Sequence, residues 1–141
     1  MNIEDRFEVT DLVTRSVYAL DVNDMKDFSD CHVNDHILEL KNADFPTIII
    51  EGREKYVKRL TKSEERLASG LITKHHISNM LIKEVSDDLL WGRTLGIVTM
   101  QREPYSKPDF SHTSTVEYEF RKTSYGWRIS KTNLVIDHIR E

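Results

Sequence analysis

The chain has 141 residues, 38% of them hydrophobic and 31% charged, with a formal net charge of −4. Acids and bases are interspersed and no Lys/Arg run forms a basic stripe, which argues against nucleic acid or an anionic membrane as partner and leaves small neutral or weakly polar ligands open. A lone cysteine, Cys31, permits neither an internal disulfide nor a thiolate metal cluster. With an acidic N-terminus (MNIEDRFEV) and no long apolar run, the expectation is one cytoplasmic domain over residues 1–141.

From Ile3 to about Val22, the residues Val9, Val13, Val17 and Leu20, with Phe7 and Leu12 beside them, follow helical spacing. Asn23 and Asp24 end this helix, and Asp24 is placed to cap a short second one through Met25 and Phe28. HILEL (36–40) and TIII (47–50) read as strands separated by the turn-like NADFP. Gly52 opens a third helix that runs to Gly70, with Tyr56, Val57, Leu60 and Leu67 on one face and a charged face that reads as solvated. Four long β-rich segments follow at 71–85, 89–103, 110–122 and 126–137, with SDD and TSYG as tight hairpin turns and EPYSKPD as a longer loop. Helices first and an antiparallel meander afterwards predict an α+β fold. Strands of about 13 residues must twist and curl, so a bent sheet wrapped around the helices, with a cavity inside, is expected.

Two neighbouring histidines interrupt the apolar run in KHHISNM (74–80). Because strand side chains alternate, His75 and His76 face opposite sides. The odd positions hold Leu71, Ile77, Leu81 and Val85 with one charge, Lys83, against three apolar residues and two charges at the even positions, so the odd set is expected inside, with His75 and Asn79. Asp21 lies four residues after Val17 and eight after Val13, in phase with the buried stripe of the first helix. Spacing alone leaves two readings of Asp21: a frayed helix end in water, or an anion at the unfavourable end of the helix dipole that needs a partner such as His75. His32 and His36 would share one face of a helix, but VND between them reads as a helix exit, so no metal site is expected. Trp91 and Trp127 fall at apolar strand positions and read as core, and no nucleophile motif, P-loop or dinucleotide glycine pattern is present.

The run SVYALDVNDMKDFSD, the helix GREKYVKRL, the strand KHHISN and the late YGWRI together resemble the SnoaL-like branch of the nuclear transport factor 2-like superfamily, which includes scytalone dehydratase-type enzymes. The resemblance covers about residues 4–137. It implies a cone-shaped, curved mixed β-sheet wrapped around three N-terminal helices, a cystatin-like α+β barrel, paired as a homodimer through the outer sheet face. It also places Asp21 on the acid and His75 on the imidazole of an Asp/His pair that acts without a cofactor as general acid and base, chemistry that yields roughly 10²–10⁴-fold. The implied function is a lyase or isomerase (dehydratase, isomerase or cyclase) acting on a small hydrophobic cyclic substrate of polyketide, steroid or aromatic type. The chain departs from that pattern at Met100, Val116 and Leu20, which stand where the dehydratase carries a second histidine, an asparagine and a tyrosine. Tyr18 and Asn79 are candidates to orient a substrate oxygen, and His112 to replace the missing histidine. The alternative is a non-catalytic domain that binds a small ligand or mediates dimerisation.

Overall fold

The computed structural model describes residues 1–137. In chain order it contains α1 (Ile3–Val22), α2 (Met25–Asp30), β1 (His32–Lys41), β2 (Ile48–Glu51), α3 (Arg53–Leu60), α4 (Glu64–Ala68), β3 (Ile72–Ser86), β4 (Leu89–Gln101), β5 (Asp109–Thr123) and β6 (Gly126–Ile136). The six strands form one curved, open sheet in the order β2-β1-β6-β5-β4-β3. Every neighbouring pair is antiparallel except β1 and β6, which run parallel, so the sheet is mixed. The expected α+β architecture is the observed one.

Helix α1 begins at a reciprocal cap: Asp5 N–H donates to the Asn2 side chain, and Asn2 N–H donates to the Asp5 carboxylate. Its buried stripe is Val9, Leu12, Val13, Ser16 and Ala19, the three- and four-residue spacing of one helix face. Phe7, expected beside that stripe, is 69% exposed, since two residues from Val9 is roughly 200° around the helix. The stripe packs on Ile82, Leu90, Tyr118, Phe120, Trp127 and Ile129 of the sheet. Asp24 caps α2 as expected, accepting from Asp27 N–H. Trp91, expected in the core, is only half-buried and lies under the Lys83 ammonium, 5.4 Å from its ring centroid.

Three local expectations are corrected. The third helix is two: Thr61 leaves α3 in an extended conformation, and Ser63 starts α4 by accepting a hydrogen bond from Arg66 N–H. Leu67, assigned to the buried face, is consequently 50% exposed. Strand β1 starts at His32 rather than His36, because its first residues pair with β6, where Ile129 N–H donates to Cys31 C=O at 2.9 Å.

The third correction concerns β3. Asn79 has a left-handed backbone (φ 57°), and the pairing with β4 slips between Ser78 and Leu81. This bulge inserts an extra residue and exchanges the faces. Before it Thr73 and Ile77 point inward, as the odd-face count requires; after it Met80 and Ile82 do, leaving Leu81 and Val85 47% and 60% exposed. Asparagine tolerates this conformation and a β-branched residue does not. Asn79→Gly is therefore expected to change stability by less than about 0.5 kcal/mol, and Asn79→Val to lower it by about 1–2 kcal/mol in urea unfolding.

At the closed end of the cone, Phe28, His32, His36 and Tyr56 form one ring cluster, with His36 stacked on Tyr56 at 4.7 Å and 8°. His32 Nδ1–H donates to Phe28 C=O at 2.7 Å, and His36 Nε2 meets the Thr132 hydroxyl at 2.8 Å. Burial pushes His32 down to about 4 and His36 down to about 3, the latter also through its neighbour His32. Unfolding returns both imidazoles to their ordinary value near 6.5, so the unfolded chain takes up protons that the folded chain refuses. Stability should thus fall as pH drops below about 6.5, and continue falling toward about 4 for His32 and about 3 for His36, by roughly 3–5 kcal/mol for each group. Thermal melts followed by circular dichroism should show this slope reduced in His36→Gln; a Tm that is flat over this window in the wild type would contradict the buried, neutral state of both rings.

Candidate active site

Strand β3 is an edge of the sheet, and one row of its backbone groups faces no strand. The last turn of α1 runs along this edge and supplies the missing partner. Asp21 accepts the His75 backbone N–H through Oδ2 at 2.9 Å and meets His75 Nδ1 through Oδ1 at 2.6 Å. One carboxylate thus holds both the main chain and the ring of the same residue. A carboxylate oxygen accepts, so the bound nitrogen is Nδ1–H, and in the neutral ring this tautomer carries its lone pair on Nε2. The pair is half-buried, with the Asp21 side chain 15% exposed and that of His75 34%.

An anion at a helix C-terminus is opposed by the helix dipole. Two hydrogen bonds from His75 offset that cost, and the Lys62 ammonium donates to the Asp21 carbonyl at 3.4 Å, satisfying one of the orphan acceptors at the end of α1. Of the two readings that spacing left for Asp21, the partnered one describes the geometry.

His75 stands between two concavities. On one side is the interior cavity of the cone, about 360 Å³, with aliphatic walls that include Leu20, Leu38, Val98, Met100, Val116 and Leu134. Its deep end is aromatic, formed by Phe28, His32, Tyr56 and Tyr118, and its polar groups include Thr73, Ser114 and His112. On the other side is an open groove of about 380 Å³ between α1 and β3, bordered by Asp21, Tyr18, Asn79 and Met80.

The five candidate residues therefore divide. His75 and His112 share the cavity, and each is registered against Val98 of the strand between them. Two strand spacings put their backbones about 9–10 Å apart, room for a ring. Burial, and after it the neighbouring His75, lowers the His112 pKa, and its Nδ1 lies 2.9 Å from the Ser111 hydroxyl. Tyr18, 64% exposed, and Asn79 instead border the groove. Met100 and Val116, the departures from the dehydratase pattern, both line the cavity.

Three cations on the helix face that the sequence marks as solvated also line the cavity: Arg59, Lys62 and Arg66. Arg59 lines it from α3 itself; beyond the break at Thr61, Lys62 reaches the last turn of α1, and Ser63 ahead of two glutamates is the sequence sign of that break. His32 and His36 point into the aromatic end rather than to water. Among the described residues no group of three His, Cys, Asp or Glu side chains is placed to hold a metal ion.

Comparison with known proteins agrees with the fold. The chain is similar in structure to an NTF2-like protein with a cystatin-like fold from Novosphingobium aromaticivorans, at 24% identity and TM-score 0.74 over 95% of this chain and 82% of that one. It is also similar to ActVI-ORFA from Streptomyces coelicolor, at 16% identity and TM-score 0.75 over 95% and 98% of the two chains. A candidate scytalone dehydratase from Novosphingobium aromaticivorans aligns at 20% identity and TM-score 0.72 over 94% and 87%. At these identities the likeness concerns the fold alone. No curated protein matches the chain. The sequence pattern of the SnoaL-like domain matches residues 1–133, nearly everything from the first cap to the last strand, and this chain therefore belongs to the SnoaL-like family.

Proposed function

We propose that the protein is a cofactor-independent lyase or isomerase that moves protons on a small cyclic, largely hydrophobic substrate bound in the cone. The observation that carries this reading is the double grip of Asp21 on His75, which leaves Nε2 basic beside an apolar cavity. In the proposed chemistry Nε2 takes a proton from a carbon next to a ring carbonyl. The resulting imidazolium keeps its Nδ1–H on the Asp21 carboxylate, so the new positive charge forms against a fixed negative one. That proton is then returned to a departing hydroxyl, which leaves as water in a dehydration, or to a different carbon in an isomerisation. His112, with the Ser111 hydroxyl donating to its Nδ1, offers Nε2–H to the carbonyl oxygen from two strands away on the same sheet. Tyr18 and Asn79 border the groove and are assigned no step.

A second reading, a ligand-binding domain without turnover, is favoured by Met100 and Val116, which make cavity wall apolar where the dehydratase pattern is polar. The proposal further includes pairing of two copies through the outer sheet face, where Ile37, Ile97 and Val135 are 39%, 46% and 41% exposed. A cytoplasmic location is part of it too, supported by the buried Cys31 thiol, whose pKa burial pushes up to about 11. No described helix is long and apolar enough to cross a membrane.

Ring ketones and β-hydroxy ketones screened for dehydration or isomerisation test the catalytic reading. His75→Ala should lower kcat by roughly 10²–10⁴-fold with a small change in KM. Asp21→Asn keeps the volume but offers an amide N–H to Nδ1, which forces the proton onto Nε2; a loss of about 10²-fold in kcat is expected. Rates unchanged by His75→Ala would leave the binding reading in place.

A further inference from the structure

The protein carries a net charge of −4, yet the side chains lining its cavity include three cations and no carboxylate. In that lining Arg59 and Arg66 are exposed and Lys62 is half-buried, opposite the buried aromatic end, so they mark the mouth. Among the described residues none of the three forms an ion pair. Lys62 reaches the Asp21 carbonyl, while the Asp21 carboxylate is occupied by His75. Burial, and after it the charge of Arg66, holds the Lys62 ammonium below its usual range, against the smaller opposing pull of Asp21. Such a cluster at the rim of an apolar cavity complements an amphiphilic guest: an apolar ring inside and an anionic group at the entrance.

We propose that the ligand of the cavity carries a carboxylate, gripped at the mouth by Arg59, Lys62 and Arg66 while its ring fills the aliphatic interior. This deepens the reading of the cavity as a ring-binding site and rests on it. Because Lys62 touches the residue that holds His75, the anchored carboxylate sits near the proton-transferring end of the ring and sets which ring position meets Nε2. The anionic arm then selects the substrate and its orientation, a role the neutral walls cannot fill.

Isothermal titration of the wild-type protein with 1-naphthylacetate and with 1-naphthylacetamide, which share a ring and differ in charge, provides the test. The acid should bind roughly tenfold or more tightly than the amide. Lys62→Gln and Arg66→Gln should each shrink that preference by about threefold or more while leaving amide binding unchanged. Lys58→Gln removes a cation on α3 that does not line the cavity and should keep the full preference. Equal binding of acid and amide would overturn the carboxylate proposal while sparing the ring-binding reading. A preference lost equally in Lys58→Gln would also overturn it, since the effect would then be general surface charge. Failure of both compounds to bind would remove the ring-binding reading and the proposal with it.

Discussion

The contact between the Asp21 carboxylate and both nitrogen donors of His75 joins the end of α1 to the free edge of the sheet. Without it the unpaired N–H row of β3 and the anion at a helix C-terminus would each be unfavourable. Together they satisfy one another. The same contact orients a ring between the cavity and the outer groove, so the feature that ties α1 to the sheet edge is also the one that places an imidazole on the cavity wall. Structural need and proposed chemistry coincide in one pair of side chains.

Much of the architecture was legible because it rests on local patterns. Helical spacing in α1, the cap at Asp24, the paired turns and the four long β segments all follow from neighbours in sequence. The bulge at Asn79 was not legible, because alternation counts faces only while the ladder is regular, and one inserted residue reverses them. His75 was placed on the inner face for a reason that holds up to Ile77 and fails after Asn79. Asp21 was ambiguous for a different reason: its partner is 54 residues away, and only tertiary structure decides between a solvated and a paired carboxylate.

The cations at the mouth were the larger omission. On a continuous helix from residue 52 to 70 they belong to the solvated face; Arg59 lines the cavity from α3 itself, and Lys62 and Arg66 follow the break at Thr61. His32 and His36, which the sequence puts beside a helix exit, are buried in one ring cluster with Tyr56, and His32 and Tyr56 line the base of the cavity. In both cases a short backbone departure, invisible to periodicity, assigns side chains to an interior that composition would give to the surface. The result is a cavity graded from aromatic and uncharged at its base to cationic at its opening, with two imidazoles on the wall between.

The central claim is that Asp21 fixes the tautomer of His75, and ¹⁵N NMR of the histidine side chains reads it directly. The account predicts that His75, in its neutral form, shows a protonated Nδ1 and a bare, pyridine-type Nε2, and that this pattern reverses in Asp21→Asn. A wild-type His75 with its proton on Nε2, or one whose tautomer is indifferent to Asp21→Asn, would contradict it.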